Sequence, residues 1–379
     1  MACLEKSYNS NFLTWNKVSG SLTLSQLQSS GLPSLCDTLS PDIPLSPAPQ
    51  NLVATAISSS TISLFWDNVA GADSYKVYRS LTLGGTYTVI EPLDLDKDYD
   101  DTTCDPDTEY FYKVSAVIGG VESALTEAVN ATTYDADAQA WIDRMTSPTD
   151  IEKISINTFV IADKASGNWV LRDEIWIRSL GSVNGLIGAK GTNGIAYGGV
   201  TWSVNGIKYN GTTAYIDDGF DLGADGVNYI ATDARIDLFI KTAASVHNIN
   251  QCMTGVYDNS RYTELKELSS GNVRGIINKN SSIINTENVL SNTYYSFIFY
   301  STPKALKNGV NVTNTALTNT PGVPTGYNLT EGARNNIGTI NRYTDMEIAF
   351  KSICGANGFD ESASNTNVRQ LLTDLGVAL

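Results

Sequence analysis

Histidine is almost absent: His247 is the only one in 379 residues, and no Cys-x-x-Cys pair occurs. The five cysteines (Cys3, Cys36, Cys104, Cys252, Cys354) are odd in number and irregularly spaced. Zinc ribbons and thioredoxin-type sites need paired ligands at short spacing, so neither is supported. Free thiols buried in a chain made in a reducing cytoplasm are the simplest expectation. His247 has no Gly-x-Ser-x-Gly or cysteine partner pattern, so no nucleophilic constellation forms around it. Basic residues are scarce too, 25 Lys and Arg against 40 Asp and Glu, for a net charge of −15. A nucleic-acid partner would want a basic face, and this balance argues against one. No apolar run approaches the roughly 18 residues of a membrane span. The first residues also lack the apolar core of a secretory leader, so neither membrane insertion nor export is expected.

What is plentiful is glycine (31) and tyrosine (19), with Asn-Gly pairs at 184, 193, 205, 210, 308 and 357. Each such pair is a tight-turn candidate, and the composition suits a mostly β protein. The length allows two or three domains with cores of their own. Charge is uneven: −1 over residues 1–45, −9 over 46–134 and −5 over 135–379. Residues 1–45 have Trp15 and a series of leucines but no long periodic pattern, and are too short to bury a core alone. The expectation is an extended docking arm with Trp15, Leu24 and Leu27 as apolar anchors, held by partner proteins.

Residues 104–118 organise the next segment. Asp105-Pro106-Asp107 is a turn, and Tyr110, Tyr112, Val114 and Ala116 then fall on one face of a strand. A Tyr just after such a turn fits a tyrosine corner. Trp66 shares a face with Ile62 and Leu64, Tyr75–Arg79 reads as a third strand, and Gly84-Gly85 as a turn. From Trp66 through Tyr110 to Val129 the segment resembles fibronectin type III modules. That resemblance implies a seven-stranded sandwich over 46–134, used as a spacer. Asp94, Asp96, Asp98, Asp100 and Asp101 begin like a calcium loop, but Tyr99 stands where its glycine is needed and Asp105 where its bidentate Glu is needed. A solvated acidic strand edge is the preferred reading.

Between 135 and 180 the pattern turns helical. Ala138, Trp141, Ile142 and Met145 mark one face, with Asp135 or Asp137 as cap. Ser147-Pro148-Thr149-Asp150 resembles a capping box opening a second helix that ends at Gly167. Its apolar residues (Ile151, Ile154, Ile156, Phe159, Val160, Ile161) occupy more than one face, so cover on two sides is expected, from the next domain or from copies of the chain. The segments 135–142, 154–160 and 167–169 resemble a stretch of bacteriophage tail-fibre and minor virion proteins that precedes a concanavalin-like domain.

Residues 181–379 hold eight strand candidates (196–202, 207–216, 236–242, 262–268, 273–278, 294–300, 304–312, 346–354) and a closing helix with Val368, Leu371, Leu372 and Leu375. Tyr294–Tyr300 with Ala305–Val310, and Asn210–Tyr215, resemble strands of laminin G and concanavalin-like lectin domains, which implies a jelly roll that binds glycan. Asp217, Asp218, Asp221 and Asp225 follow a strand and are the candidates for calcium, the one cofactor considered; loop solvation is the alternative. Trp202, Tyr257 and Tyr262 are the candidates to stack on sugar rings, against core packing. The strand Glu-x-Asp-x-Glu of enzymes on that fold is missing; Asp345 and Glu347 share a face but stand alone. The expected function is therefore not enzymatic. It is a structural protein of a virion surface, on head or tail, that is trimeric, docks on other virion proteins and adheres to host glycans. The alternatives are a bacterial carbohydrate-binding accessory module or adhesin, and a glycan-degrading enzyme.

Overall fold

The computed structural model describes residues 4–9, 12–17, 47–94, 96–244, 251–267, 272–279, 284–288, 290–300, 303–313, 315–316 and 322–379. The protein is mostly β, with three α-helices among the described residues. It divides into two compact units: residues 1–54, 64–99 and 110–130 make the first, and residues 55–63, 100–109 and 131–379 the second. Near the start, Leu4–Asn9 and Phe12–Lys17 pair antiparallel, with Trp15 opposite Lys6. Leu4, Tyr8, Phe12, Leu13 and Trp15 are residues that favour such a pleated, extended backbone. Leu24 and Leu27 lie outside the described residues.

Residues 53–132 form a fibronectin type III-like arrangement of two sheets. One sheet runs Val129–Thr132, Glu109–Ile118, Ser74–Ser80, Thr88–Asp94, with Val121–Glu122 added beside Glu109–Ile118. The other runs Val53–Ala56, Ile62–Phe65, Asp98–Asp101. Tyr110, Tyr112, Val114 and Ala116 are all buried, as the alternation requires. Trp66 meets Tyr75 edge-on, ring centres 5.4 Å apart. Arg79 lies 4.8 Å from the centre of the Tyr110 ring. A phenol-to-loop bond is made by Tyr75, whose hydroxyl accepts from Val69 N (2.8 Å) and donates to Asn68 Oδ1 (3.1 Å). In the acidic row, Asp101 turns inward and accepts from Thr103 N (3.1 Å) and Thr103 Oγ1 (2.7 Å).

On the outer side of the larger sheet, Glu122 gathers donors. Lys76 Nζ (2.6 Å), Ser115 Oγ (2.6 Å) and the Tyr78 hydroxyl all reach its carboxylate. Burial alone would raise this carboxyl, but the bonds from Lys76, Ser115 and Tyr78 more than offset that and hold it at about 2.

In the second unit, helix α1 (Ala136–Ile142) is capped by Asp135 and buries Ala138, Trp141 and Ile142. Helix α2 (Asp150–Ala165) is capped by Thr149, with Glu152 closing a capping box. The cap therefore sits two residues beyond the expected Ser147, because the box needs its Glu at the third helical position. Gly167 stops the helix at φ +77°. Ile156, Phe159 and Val160 are buried, while Ile151 and Ile154 are 63% and 52% exposed, so within one chain the helix is covered on one side. Helix α3 (Glu361–Asp374) buries Val368, Leu371 and Leu372.

Two sheets follow. The eight-stranded sheet runs Thr201–Ser203, Gly206–Lys208, Glu347–Cys354, Asp233–Thr242, Thr293–Tyr300, Lys304–Lys307, Val310–Asn311, with Arg172–Ile177 also paired to Glu347–Cys354. That last strand was expected in the helical joint; its length is only six residues and gave no clear alternation. The ten-stranded sheet runs Ile195–Tyr197, Tyr215–Asp217, Thr330–Glu331, Gln251–Tyr257, Tyr262–Glu267, Asn272–Lys279, Ile284–Asn288, Thr315–Ala316. Arg334–Asn336 adds in parallel to Gln251–Tyr257, and Thr339–Asn341 pairs with Arg334–Asn336. Strand Gln251–Tyr257 was not among those expected. One apolar cluster fills the space between the sheets, with Trp176, Ile236, Leu238, Phe297 and Ile348 from one and Ile216, Val256, Leu265 and Val273 from the other. A second lies between the eight-stranded sheet and the helices, with Phe239, Phe350 and Tyr294 against Trp141, Phe159 and Leu371.

Charges are buried in both layers. On the helix side, Arg172 grips Asp163 with two bonds (2.6 and 2.9 Å) and donates to Ser352 and Ser364. Between the sheets, Arg178 donates to Asp218 (2.5 Å) and Glu331 (3.2 Å). Lys351 donates to Asp218 and to Thr254 (2.7 Å), and the Tyr209 hydroxyl to Glu331 (2.5 Å).

Two outcomes follow from these contacts. Asp163→Ala leaves the Arg172 guanidinium buried without its carboxylate and is expected to cost about 3–5 kcal/mol, whereas Thr149→Ala removes a cap for about 1 kcal/mol. Urea unfolding measures both, and equal losses would contradict the buried pair. Glu122 is held low in the folded state, so its stabilisation is complete above the ordinary Glu range and is lost as pH falls through about 2. Glu122→Gln should flatten the pH dependence of stability between pH about 4.5 and 2; an unchanged profile would refute the linkage.

Candidate ligand-binding face

The ten-stranded sheet has an outer face away from the inter-sheet core. In Tyr262–Glu267, Leu265 packs in that core, so Tyr262, Glu264 and Lys266 point the other way. Tyr257 sits opposite Tyr262, and their rings stack with centres 4.2 Å apart at 17°. Both rings are half-buried. Opposite Glu264 is Gly255. A Cβ on Gly255 would meet Cys252 Sγ at 2.9 Å and Arg334 Cγ at 3.3 Å. The missing side chain is what lets Arg334 lie close over this strand.

Cations converge on Glu264. Arg342 Nη1 donates to its Oε1 at 2.8 Å, Arg334 Nη1 lies 3.7 Å from the same oxygen, and Lys266 Nζ lies 3.6 Å from Oε2. Arg334 is also 5.8 Å from the centre of the Tyr262 ring, and its Nε donates to Asn341 Oδ1 (3.3 Å). Arg274 is directly opposite Lys266, and its Nε is buried with no hydrogen-bond partner among the described residues. Burial lowers the Lys266 ammonium below the usual lysine range; Glu264 opposes this, while Arg342 and Arg274 push it further down. Cys252 lies among them with its thiol well above the ordinary range, chiefly through burial. A thiol so held is an inert core group and no nucleophile.

The other sequence candidates do not join this group. Trp202 stands on the other sheet, opposite Ile207, and packs partly against the core. The four aspartates are divided among separate tasks. Asp218 is fully buried in the Arg178–Lys351 network, and burial pushes its carboxyl up to about 6 against the pull of those two cations. Asp217 accepts from Gly219 N (3.0 Å). Asp221 accepts from Gly223 N (2.9 Å) and Gly326 N (2.5 Å), and Asp225 from Asp221 N (2.8 Å). Among the described residues, no group of three or more His, Cys, Asp or Glu is placed to hold a metal ion. His247 lies outside the described residues. A second aromatic group went unread in the sequence: Tyr197 stacks on Tyr215 (4.8 Å, 11°), with Tyr343 6.3 Å from Tyr215.

No family model matches the chain. Over 90 residues it is 38% identical to a tail tube protein of Bacillus phage SPP1, which is 24% of this chain and 32% of that protein. It is 39% identical over 90 residues to a poly(3-hydroxybutyrate) depolymerase of Ralstonia pickettii, 24% of this chain and 17% of that one. With an amylopullulanase of Thermoanaerobacterium saccharolyticum it shares 29% identity over 154 residues, 40% of this chain and 11% of the other. The chain thus spans at most about a third of the length of these curated relatives. Among solved structures, an Fn3-like protein from Clostridium thermocellum is 37% identical over 24% of this chain and 92% of its own, with a TM-score of 0.22.

The packing over Gly255 yields a direct check. Cys252 Sγ is tied to Thr254 O (3.1 Å) and Leu265 O (3.4 Å), so it has little room to give way. Gly255→Ala should cost about 1–3 kcal/mol in urea unfolding through overpacking. An unchanged midpoint would mean that Arg334 does not cross this position closely.

Proposed function

We propose that this chain is a structural protein of a bacteriophage particle, displayed on its surface after synthesis in the host cytoplasm. Residues 1–45 dock on other virion proteins, the fibronectin type III-like module spaces, and the C-terminal sandwich, read as a concanavalin-like jelly roll, meets host glycans. The observation that carries the reading is the 38% identity over 90 residues to a phage tail tube protein. The outer face with its Tyr257–Tyr262 stack supports the adhesive part, since aromatic rings pair with the apolar faces of sugars. The role is non-catalytic. In support, the buried carboxylates of Asp163, Asp218, Glu264 and Glu331 are each engaged by Arg or Lys. The exposed Ile151 and Ile154 favour a homo-oligomer, taken as a trimer, that covers helix α2. A second reading, a bacterial carbohydrate-binding accessory module, is favoured by the likeness to an amylopullulanase.

Mass spectrometry of gradient-purified particles should recover peptides from the whole chain, and removal of residues 1–45 should leave a folded protein that no longer joins the particle. Recovery only as free protein, with particles lacking it, would reject the virion reading in favour of the accessory module.

A further inference from the structure

The outer face of the ten-stranded sheet holds more positive charge than it needs. Arg334, Arg342 and Lys266 surround the single carboxylate of Glu264, and Arg274 stands beside Lys266 with no partner among the described residues. These groups are not freely solvated. Arg334 and Lys266 side chains are only 8% and 10% exposed, and Arg342 26%. The connecting segments 245–250, 268–271 and 280–283 contain no Asp or Glu. Glu287, on the strand that pairs with Asn272–Lys279, would still leave four cations against two carboxylates. Unmatched cations shielded from water are costly, and the arrangement is relieved by an anion that enters from outside. The contrast with the inter-sheet network is direct: there Arg178 and Lys351 are matched by Asp218 and Glu331.

We propose that this face binds an acidic saccharide: a sugar ring packs on the Tyr257–Tyr262 stack while its carboxylate or phosphate sits among Arg274, Lys266 and Arg342. The inference rests on the adhesive reading above and names the ligand class. Planar guanidinium groups suit two-pronged bonds to carboxylate or phosphate oxygens. Glu264 acts as a positioning residue that holds Arg342, and with it Arg334, toward the ring stack. On a chain of net charge −15, such a local cation cluster is what allows a polyanion to approach at all.

The test is calorimetric titration of the full chain with five probes: an oligogalacturonate, a hexose 6-phosphate, a neutral galacto-oligosaccharide of matched length, inorganic phosphate and a single-stranded oligonucleotide. Binding of oligogalacturonate alone assigns a carboxylate, and of the hexose phosphate alone a phosphate. Both outcomes support the proposal, provided that affinity falls with added salt. Arg274→Gln should weaken binding about tenfold with the unfolding midpoint kept near wild type, and Arg342→Gln and Tyr262→Ala should weaken it as well. Equal affinity for the neutral oligosaccharide overturns the proposal, as does no salt dependence, inorganic phosphate bound as tightly as the sugars, or a single-stranded oligonucleotide preferred to them. Equal neutral binding by a chain found in particles would leave the adhesive reading standing and remove only this inference. Acidic-sugar binding by a chain missing from particles would do the reverse.

Discussion

Four fully buried charges, those of Arg178, Asp218, Glu331 and Lys351, tie the C-terminal sandwich together from inside. They come from far apart in the chain: Arg178 follows the strand Arg172–Ile177, Asp218 follows Tyr215–Asp217, Glu331 ends Thr330–Glu331, and Lys351 lies within Glu347–Cys354. A buried ion cluster of this kind contributes little net stability compared with apolar packing, but an incomplete one is strongly destabilising. Its effect is therefore on uniqueness. A one-residue slip of Glu347–Cys354 would exchange Lys351 and Ser352 between faces. Lys351 would then lose Asp218 and Thr254, and Arg172 would lose Ser352.

The same strand explains why the domain has three layers. Asp233–Thr242 and Glu347–Cys354 are buried on both faces, so each needs a cover on either side. Ile236, Leu238 and Ile240 point into the space between the sheets, while Phe239 points at the helices. Helices α1, α2 and α3 supply the second cover. The Arg172–Asp163 pair links helix α2 to the eight-stranded sheet at the point where both faces are already occupied. With one sheet sealed on both sides, the broad sheet surface left outside those layers, among the described residues, is the outer face of the ten-stranded sheet.

Much of this was readable from residue order, and what was not readable has a physical cause. Alternation in Glu109–Ile118 and the three-to-four spacing in Ala136–Ile142 are local signals, and local signals survive in a sequence. The acidic residues 217–225 show the converse. Side by side in the chain they look like one site, yet Asp218 faces inward and its neighbours cap turns. Strand direction, and not sequence proximity, decides which carboxylates meet. Tyr257 and Tyr262 were named for their aromatic rings alone; the hairpin that stacks them was not read. Arg334 and Arg342 were not named, since only the addition of Arg334–Asn336 to Gln251–Tyr257 brings them to Glu264. No spacing rule links positions 264 and 342. Helix α2 shows what an apolar count leaves open: within one chain only the face with Ile156, Phe159 and Val160 is buried, and nothing in residue order says what meets the face with Ile151 and Ile154.

The two charge clusters of the C-terminal unit differ in one respect that bears on function. In the inner one, cations and carboxylates are equal in number and water is excluded, so the cluster is complete without a partner. In the outer one, the cations exceed the carboxylates, the Arg334 guanidinium lies beside the aromatic stack, and a glycine leaves room for that arginine to pass close over the strand. Folding alone gives no reason to gather like charges there, because they repel one another and push Lys266 toward losing its proton. An arrangement that is unfavourable for the isolated chain but favourable with an added anion is what a binding site looks like when its ligand is away.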